Sequence, residues 1–352
     1  MSNKTEQCQK SGEGSLNIQI NQNGISLSDC QAVVKKEVEY QVNALLNDNF
    51  IKLREEALAC ANVRANELTQ MFFDKLVKLP QEIMRQVLEK LRTPEVQISI
   101  LEAQKGYIKS GKSEKLKLLS SLLKDRVTSN SETLKGILID EAISLVPKLN
   151  QTHIDFLTCI LFIDIQCQVK NLLSFKTSVL DIIVLLFGKI NISDNDISFL
   201  SQLKCLEKIQ LNSRLDLYKI LKNRYQGLFS VGFEEKDVNM EILNRIKPAV
   251  LITCLNDSNK LQLKFLNKEV LEEELKDKNI STEDLKAIKK YFDNSTLSEN
   301  EIKTKINQLT PNFVNVVEGL KKYNHIYLTP LGILIGILNY KEQFKEDINW
   351  DF

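Results

Sequence analysis

The chain has 352 residues, with 47 basic and 46 acidic side chains, a formal charge of +1 and 43% hydrophobic residues. That apolar share excludes a disordered chain. The scarcity of Gly (12) and Pro (6) argues against sandwiches, barrels and collagen-like folds, which need many turns. A near-zero charge gives no overall positive field, so nucleic acid is not the favoured partner.

Residues 1–15 read as a tail without the apolar stretch of a secretory signal. Leu16, Ile18 and Ile20 alternate with polar residues, Asn23-Gly24 signals a turn, and Ile25–Leu27 supplies a return strand. A short N-terminal hairpin is expected over 16–27. From Ser28 to Leu79 the pattern predicts one long, coiled-coil-like helix, with one break near Asn49, Arg64 or Asn66. Its apolar steps sit closer to an eleven-residue repeat than to strict heptads. Val38, Val42, Leu45 and Leu53 are the predicted seam of a homo-oligomer.

Helices are then predicted at 81–92, 94–109, 113–127, 131–146, 152–170, 176–189, 194–209 and 211–227. Thr93-Pro94 supplies a start signal, and Ser193 with Asp196 is close to a capping box. The apolar runs Phe156–Ile165 and Val179–Phe187 each hold an aspartate and fall short of the ~20 residues that span a bilayer. They read as buried helices, and no membrane partner is expected. The final third predicts helices at 237–246, 264–277, 282–292, 299–308 and 312–322. A strand over Tyr323–Leu328 and a helix capped by Thr329-Pro330, running to Phe344, complete it. That order suits a small winged-helix-like α+β module.

The fold class is therefore mainly α: hairpin (1–27), long helix with its successor (28–92), helical bundle (93–229) and C-terminal α+β module (230–352). The seven cysteines include no CxxC pair, which suits free thiols in a reducing cytoplasm. Cys159 and Cys167 would share one face of the 152–170 helix.

Gly106-Tyr107-Ile108-Lys109-Ser110-Gly111-Lys112-Ser113 matches GxxxxGK[ST], in which backbone amides wrap phosphates, the lysine reaches their oxygens and the serine holds Mg²⁺. Asp140, ending the apolar run Ile137–Ile139, would be the downstream acid. This alternative implies Mg-ATP as cofactor and an ATPase or GTPase activity. The residues before Gly106 are polar and helix-favouring, so the favoured reading puts a helix through Gly106 that ends at Gly111, with no cofactor. His153 and His325 read as packing or surface residues, and no catalytic constellation follows from them. Lys109, Lys112, Lys115 and Lys117 make the one locally basic cluster, and a winged-helix-like end would let the protein regulate DNA as a further alternative.

Several segments together carry a resemblance. They are Ser15–Gln19, Gly24–Leu27 leading into the long helix, Ala57 with Ala61–Arg64, Pro94–Gln97, and Tyr107 with Gly111. Leu116, Leu119, Leu122-Leu123, Arg126, Asp140–Ile143 and Thr329–Gly332 complete it. The chain resembles an uncharacterised bacterial family with an N-terminal coiled coil and a winged-helix-like end. Similar N-terminal segments precede effector domains in anti-phage proteins, so the resemblance implies antiviral defence and supplies no catalytic residues. The expected function is a non-enzymatic, homo-oligomeric interaction protein that acts on an unidentified protein partner.

Overall fold

The computed structural model describes residues 27–130, 132–165, 167–208, 216–234, 236, 250–276 and 281–346. The predicted tail, hairpin residues 16–26 and helix 237–246 lie outside the described residues. The fold is mainly α-helical, and the chain forms two compact units, Met1–Asn66 and Glu67–Phe352.

Helix α1 spans Leu27–Leu76, so Leu27 opens a helix instead of ending a hairpin. The helix runs unbroken through Asn49, Arg64 and Asn66. Off-pattern polar residues cost a helix only tenths of a kcal/mol each, too little to break it. The described part of the first unit is α1 alone.

In the second unit, α2 (Gln81–Lys90), α3 (Pro94–Ser110), α4 (Ser113–Thr128) and α5 (Leu134–Leu145) follow with short connections. Next come α6 (Gln151–Asp164), and α7 (Leu172–Phe175), which passes through a π-turn into α8 (Asp181–Gly188). After them come α9 (Asp194–Gln202), β1 (Leu206–Lys208) and α10 (Leu217–Arg224). The chain continues through β2 (Leu251–Thr253), β3 (Leu261–Leu263), α11 (Lys268–Leu275) and α12 (Thr282–Asn294). It ends with α13 (Glu299–Leu309), α14 (Phe313–Leu320), β4 (Ile326–Leu328) and α15 (Pro330–Phe344).

Helix α6 is apolar on nearly every side and is buried from His153 to Ile163. Such a helix needs neighbours all round. Its main partner is α15, which also packs on α5 and α4. A glycine allows the approach to α6, since a Cβ on Gly336 would lie 3.2 Å from the Leu157 carbonyl oxygen, and another lets α15 meet the chain before β1, since a Cβ on Gly332 would lie 1.9 Å from the Cys205 carbonyl oxygen. One apolar core runs from Leu68 on α1 to Tyr340 on α15. The predicted boundary at 92/93 falls inside it; after Phe229 the chain leaves it and rejoins it at Ile302. A smaller cluster of Val250, Leu263, Phe265, Leu271, Leu275, Ile288 and Phe292 holds together β2, β3, α11 and α12.

Two predicted helices end early, for tertiary reasons. The helix expected over 194–209 stops at Gln202: Lys204 turns left-handed (φ 57°), and Leu206–Lys208 pairs antiparallel with Ile326–Leu328. The helix expected over 152–170 stops at Asp164, where the Arg224 guanidinium binds the carbonyls of Ile163 and Ile165. Cys167 therefore leaves the helix of Cys159, and its N–H donates to the Tyr225 hydroxyl at 2.8 Å. The helix–strand–helix order expected near the C-terminus is present as α14, β4 and α15. Its strand pairs with the distant β1 and its last helix lies in the central core, so these residues do not stand apart as a winged module.

Candidate functional site

The predicted seam lies on the first unit. Val38 is 53%, Val42 47% and Leu53 62% exposed, and Leu45 lies on the same helix. Val34, Leu46 and Phe50 are exposed beside them. Single exposed apolar residues are ordinary; here several of them lie along one helix.

The phosphate-loop match takes another shape. Gly106 lies inside α3 and is buried, and a Cβ there would meet Pro147 Cγ at 2.2 Å. Gly111 is the left-handed residue that ends α3 (φ 59°), its N–H donating to the Tyr107 carbonyl at 2.8 Å. Lys112 is the exposed N-cap of α4, and Ser113 is its first residue. No strand feeds this turn, so the strand–loop–helix that cradles phosphates is not formed. Asp140 sits on α5, where Oδ1 accepts from Arg126 Nε at 2.7 Å and from Ser99 Oγ at 2.8 Å. Arg126 is itself buried, so Asp140 is its structural counter-ion.

The most organised polar site is centred on Glu342, in the last turn of α15. Glu342 Oε1 accepts from Lys75 Nζ at 2.6 Å and Ser121 Oγ at 2.7 Å, and Lys345 Nζ lies 3.3 Å from Oε2. Burial opposes ionisation here, but the hydrogen bonds from Lys75 and Ser121 outweigh it and hold the carboxyl at about 2. On one side of Glu342 is a cleft of about 390 Å³ whose lysines 75, 78, 124, 341 and 345 outnumber Asp125 and Glu342. Ammonium groups gathered this way suit an anionic group as point charges.

On the other side is a cavity of about 270 Å³ with Asp155 in its wall. Asp155 is buried, and its Oδ1 accepts from three side-chain amides: Gln343 at 2.8 Å, Gln151 at 2.9 Å and Asn339 at 3.1 Å. All three donors are side-chain amides, which carry no titratable proton. A third cavity, of about 380 Å³, has Ile160, Ile163, Ile220 and Ile326 in its wall, with Arg224 and Asp164 3.5 Å apart at its side. Asn324 lines it, and its Oδ1 is buried without a hydrogen-bond partner.

Three of the thiols are held protonated by their surroundings. Burial pushes the thiols of Cys159 and Cys205 up to about 12 and that of Cys167 to about 11. His153 is a buried capping-box residue of α6: Nδ1 accepts from the Asn150 N–H at 3.3 Å, so Nε2 donates to Asp196 at 3.0 Å. The Ser193 hydroxyl first, and then His153, hold the Asp196 carboxyl well below the usual range. No group of three or more His, Cys, Asp or Glu among the described residues is placed to hold a metal ion. No helix among them is long and apolar enough to cross a membrane.

Sequence reasoning did not single out Glu342, Lys75 or Asp155. A signal existed for Asp155, a carboxylate beside the apolar run Phe156–Ile163 of a buried helix. None existed for the Glu342 cluster, because Lys75, Ser121 and Glu342 meet across 46 and 221 positions of sequence.

No curated protein and no solved structure matches the chain. A family model does match, over residues 32–352, from early α1 to the C-terminal residue. With nearly its whole length matched, the chain belongs to the family that this model describes, ":-like".

Proposed function

We propose that this protein is a non-enzymatic, self-associating interaction protein whose N-terminal helix joins copies and whose helical body presents binding surfaces. The observation that carries the reading is the row of exposed apolar residues on α1 within the first unit. Residues 27–66 of a straight helix would reach about 60 Å. A helix of ordinary composition owes most of its stability to packing an apolar face, so this one favours a partner helix. Each Val or Leu buried on pairing contributes about 1.5–3 kcal/mol.

Self-association multiplies weak contacts of the body by avidity. The lysine cleft beside Glu342 is the surface best suited to an acidic group on a protein partner. Free thiols suit a reducing cytoplasm, and the resemblance set out above supports a role for such an assembly in bacterial antiviral defence.

Leu45→Glu with Leu53→Glu tests the reading by light scattering on a sizing column. Wild-type protein is expected at a multiple of the chain mass and the double variant at the mass of one chain, with the body's ellipticity retained. A monomeric wild type, or a variant that keeps the native mass, refutes it.

A further inference from the structure

We infer that α1 pairs with α1 of a second copy in antiparallel orientation, across a two-fold axis centred between Leu45 and Leu46. The inference rests on the self-association proposed above and adds its direction and register. At the eleven-residue period of the apolar pattern, Val34, Lys35, Val38, Val42, Leu45, Leu46, Asn49, Leu53, Glu56 and Ala57 share one face of α1. Outward from the proposed centre, that face is complementary to itself. In the antiparallel pair Val42 lies level with Asn49, Val38 with Leu53 and Val34 with Ala57.

The charges follow the same symmetry. Lys35 comes level with Glu56 within the seam. The flanks carry the acids Glu37 and Glu39 on one side of the centre and the bases Lys52 and Arg54 on the other, together with Asp48, which comes level with the uncharged Asn43. Helical geometry puts Glu39 and Arg54 on one flank and Glu37 and Lys52 on the other, each within two positions of level. The two-fold axis repeats every such contact. All six side chains of these charge pairs are exposed; Glu37 accepts a hydrogen bond from Gln41 of its own helix at 3.0 Å, an exposed contact that costs little to exchange.

A parallel, in-register pair reverses this pattern. Each residue then lies beside its own copy, so Glu37 and Glu39 face acids while Lys52 and Arg54 face bases. Like charges across helices select against that pairing and opposite charges select for the other. The occupant of the apolar face is therefore a second copy of this chain, running the opposite way.

Two measurements on the full-length protein test the direction. The antiparallel pair brings Cys30 of one copy to within one position of Cys60 of the other. A Cys8→Ser variant treated with a short bis-maleimide and mapped by peptide mass spectrometry is expected to yield the mixed Cys30–Cys60 link between copies. A Cys60–Cys60 link overturns the inference. Glu37→Lys with Glu39→Lys is expected to weaken association about tenfold or more at low salt. Adding Lys52→Glu and Arg54→Glu to that variant is expected to restore it. A parallel pair would lose nothing on the first change, because repulsion replaces repulsion, and that result overturns the inference, as does failure of the rescue. A wild-type chain that sediments as a monomer instead removes the self-association on which both rest.

Discussion

Glu342→Gln removes the charge at the centre of the body's polar site while keeping its shape. The wild-type carboxylate accepts from Lys75 at 2.6 Å and Ser121 at 2.7 Å through Oε1, and from the exposed Lys345 at 3.3 Å through Oε2. The Lys75 and Glu342 side chains are 23% and 14% exposed, so water screens the pair only in part. At an effective dielectric of ~20 the bare attraction at that distance is about 6 kcal/mol, much of it offset by desolvation. A charge-assisted hydrogen bond nets about 1.5–3 kcal/mol.

The titration behaviour leads to a similar figure. The carboxyl titrates at about 2 in the folded chain, against ~4.3 for an ordinary glutamate. At ~1.36 kcal/mol per tenfold in proton affinity, the difference is worth about 3 kcal/mol. The folded value is the lower one, so this stability is fully present above pH ~4.3 and is lost as pH falls towards 2. Urea unfolding followed by near-ultraviolet circular dichroism suits the measurement, because it reads the packed tyrosines of the body and ignores melting of the exposed part of α1. The variant is expected to be about 2–3 kcal/mol less stable than wild type at pH 7, with the gap closing between pH 4.3 and 2. A gap under ~0.5 kcal/mol at pH 7, or one that persists unchanged at pH 2, would refute this account of the site.

Gly332→Ala puts a Cβ 1.9 Å from the Cys205 carbonyl oxygen, where the first turn of α15 meets the residue before β1. A loss of about 3 kcal/mol is expected in the same unfolding assay, with an unchanged melt refuting the close packing of α15 there. Cys60 is exposed, whereas Cys159, Cys205 and Cys254 are buried. A water-soluble thiol reagent at pH 8 should label Cys60 within minutes and those three only after denaturation, as read by intact mass and peptide mapping; fast labelling of Cys159 would contradict the packing of α6.

The elements that sequence reasoning located were those whose limits are written locally. Thr93-Pro94 begins α3, the Ser193–Asp196 box begins α9, and Thr329-Pro330 begins α15, each where expected. Gly111 ends α3 for a local reason as well, since only its left-handed turn separates two helix-favouring runs. The errors share a different origin. α6 ends where Arg224, 61 positions beyond Ile163, takes its last carbonyls. β1 exists because β4 arrives beside it, and nothing within 194–209 encodes that partner. The lysine cleft was illegible for the same reason: the basic cluster visible in sequence runs along 109–117, whereas the cleft draws its lysines from α1, α4 and α15 and the turns that follow α1 and α15. The spacing behind the expected seam of α1 is a property of one segment; what the structure adds is that Val38, Val42 and Leu53 are exposed there.

The pairing of α6 with α15 shows how this fold limits its alternatives. Both helices are so apolar that burial alone would accept several registers between them. The polar groups in the interface remove that freedom. Asn339 donates to Asp155 at 3.1 Å and to Thr158 at 2.8 Å, and Gln343, one turn later on α15, donates to Asp155 at 2.8 Å. Sliding α15 by one turn, about 5.4 Å, would bring at most one of these amides back, into the other's place, and leave the buried carboxylate at least one donor short. Stranding a buried charge costs several kcal/mol, a large part of the stability of an ordinary domain. Asp155 thus acts as a register pin between a helix from the middle of the chain and one from its end. It also fixes where Glu342, the residue before Gln343, meets Lys75 and Ser121 at the mouth of the lysine cleft.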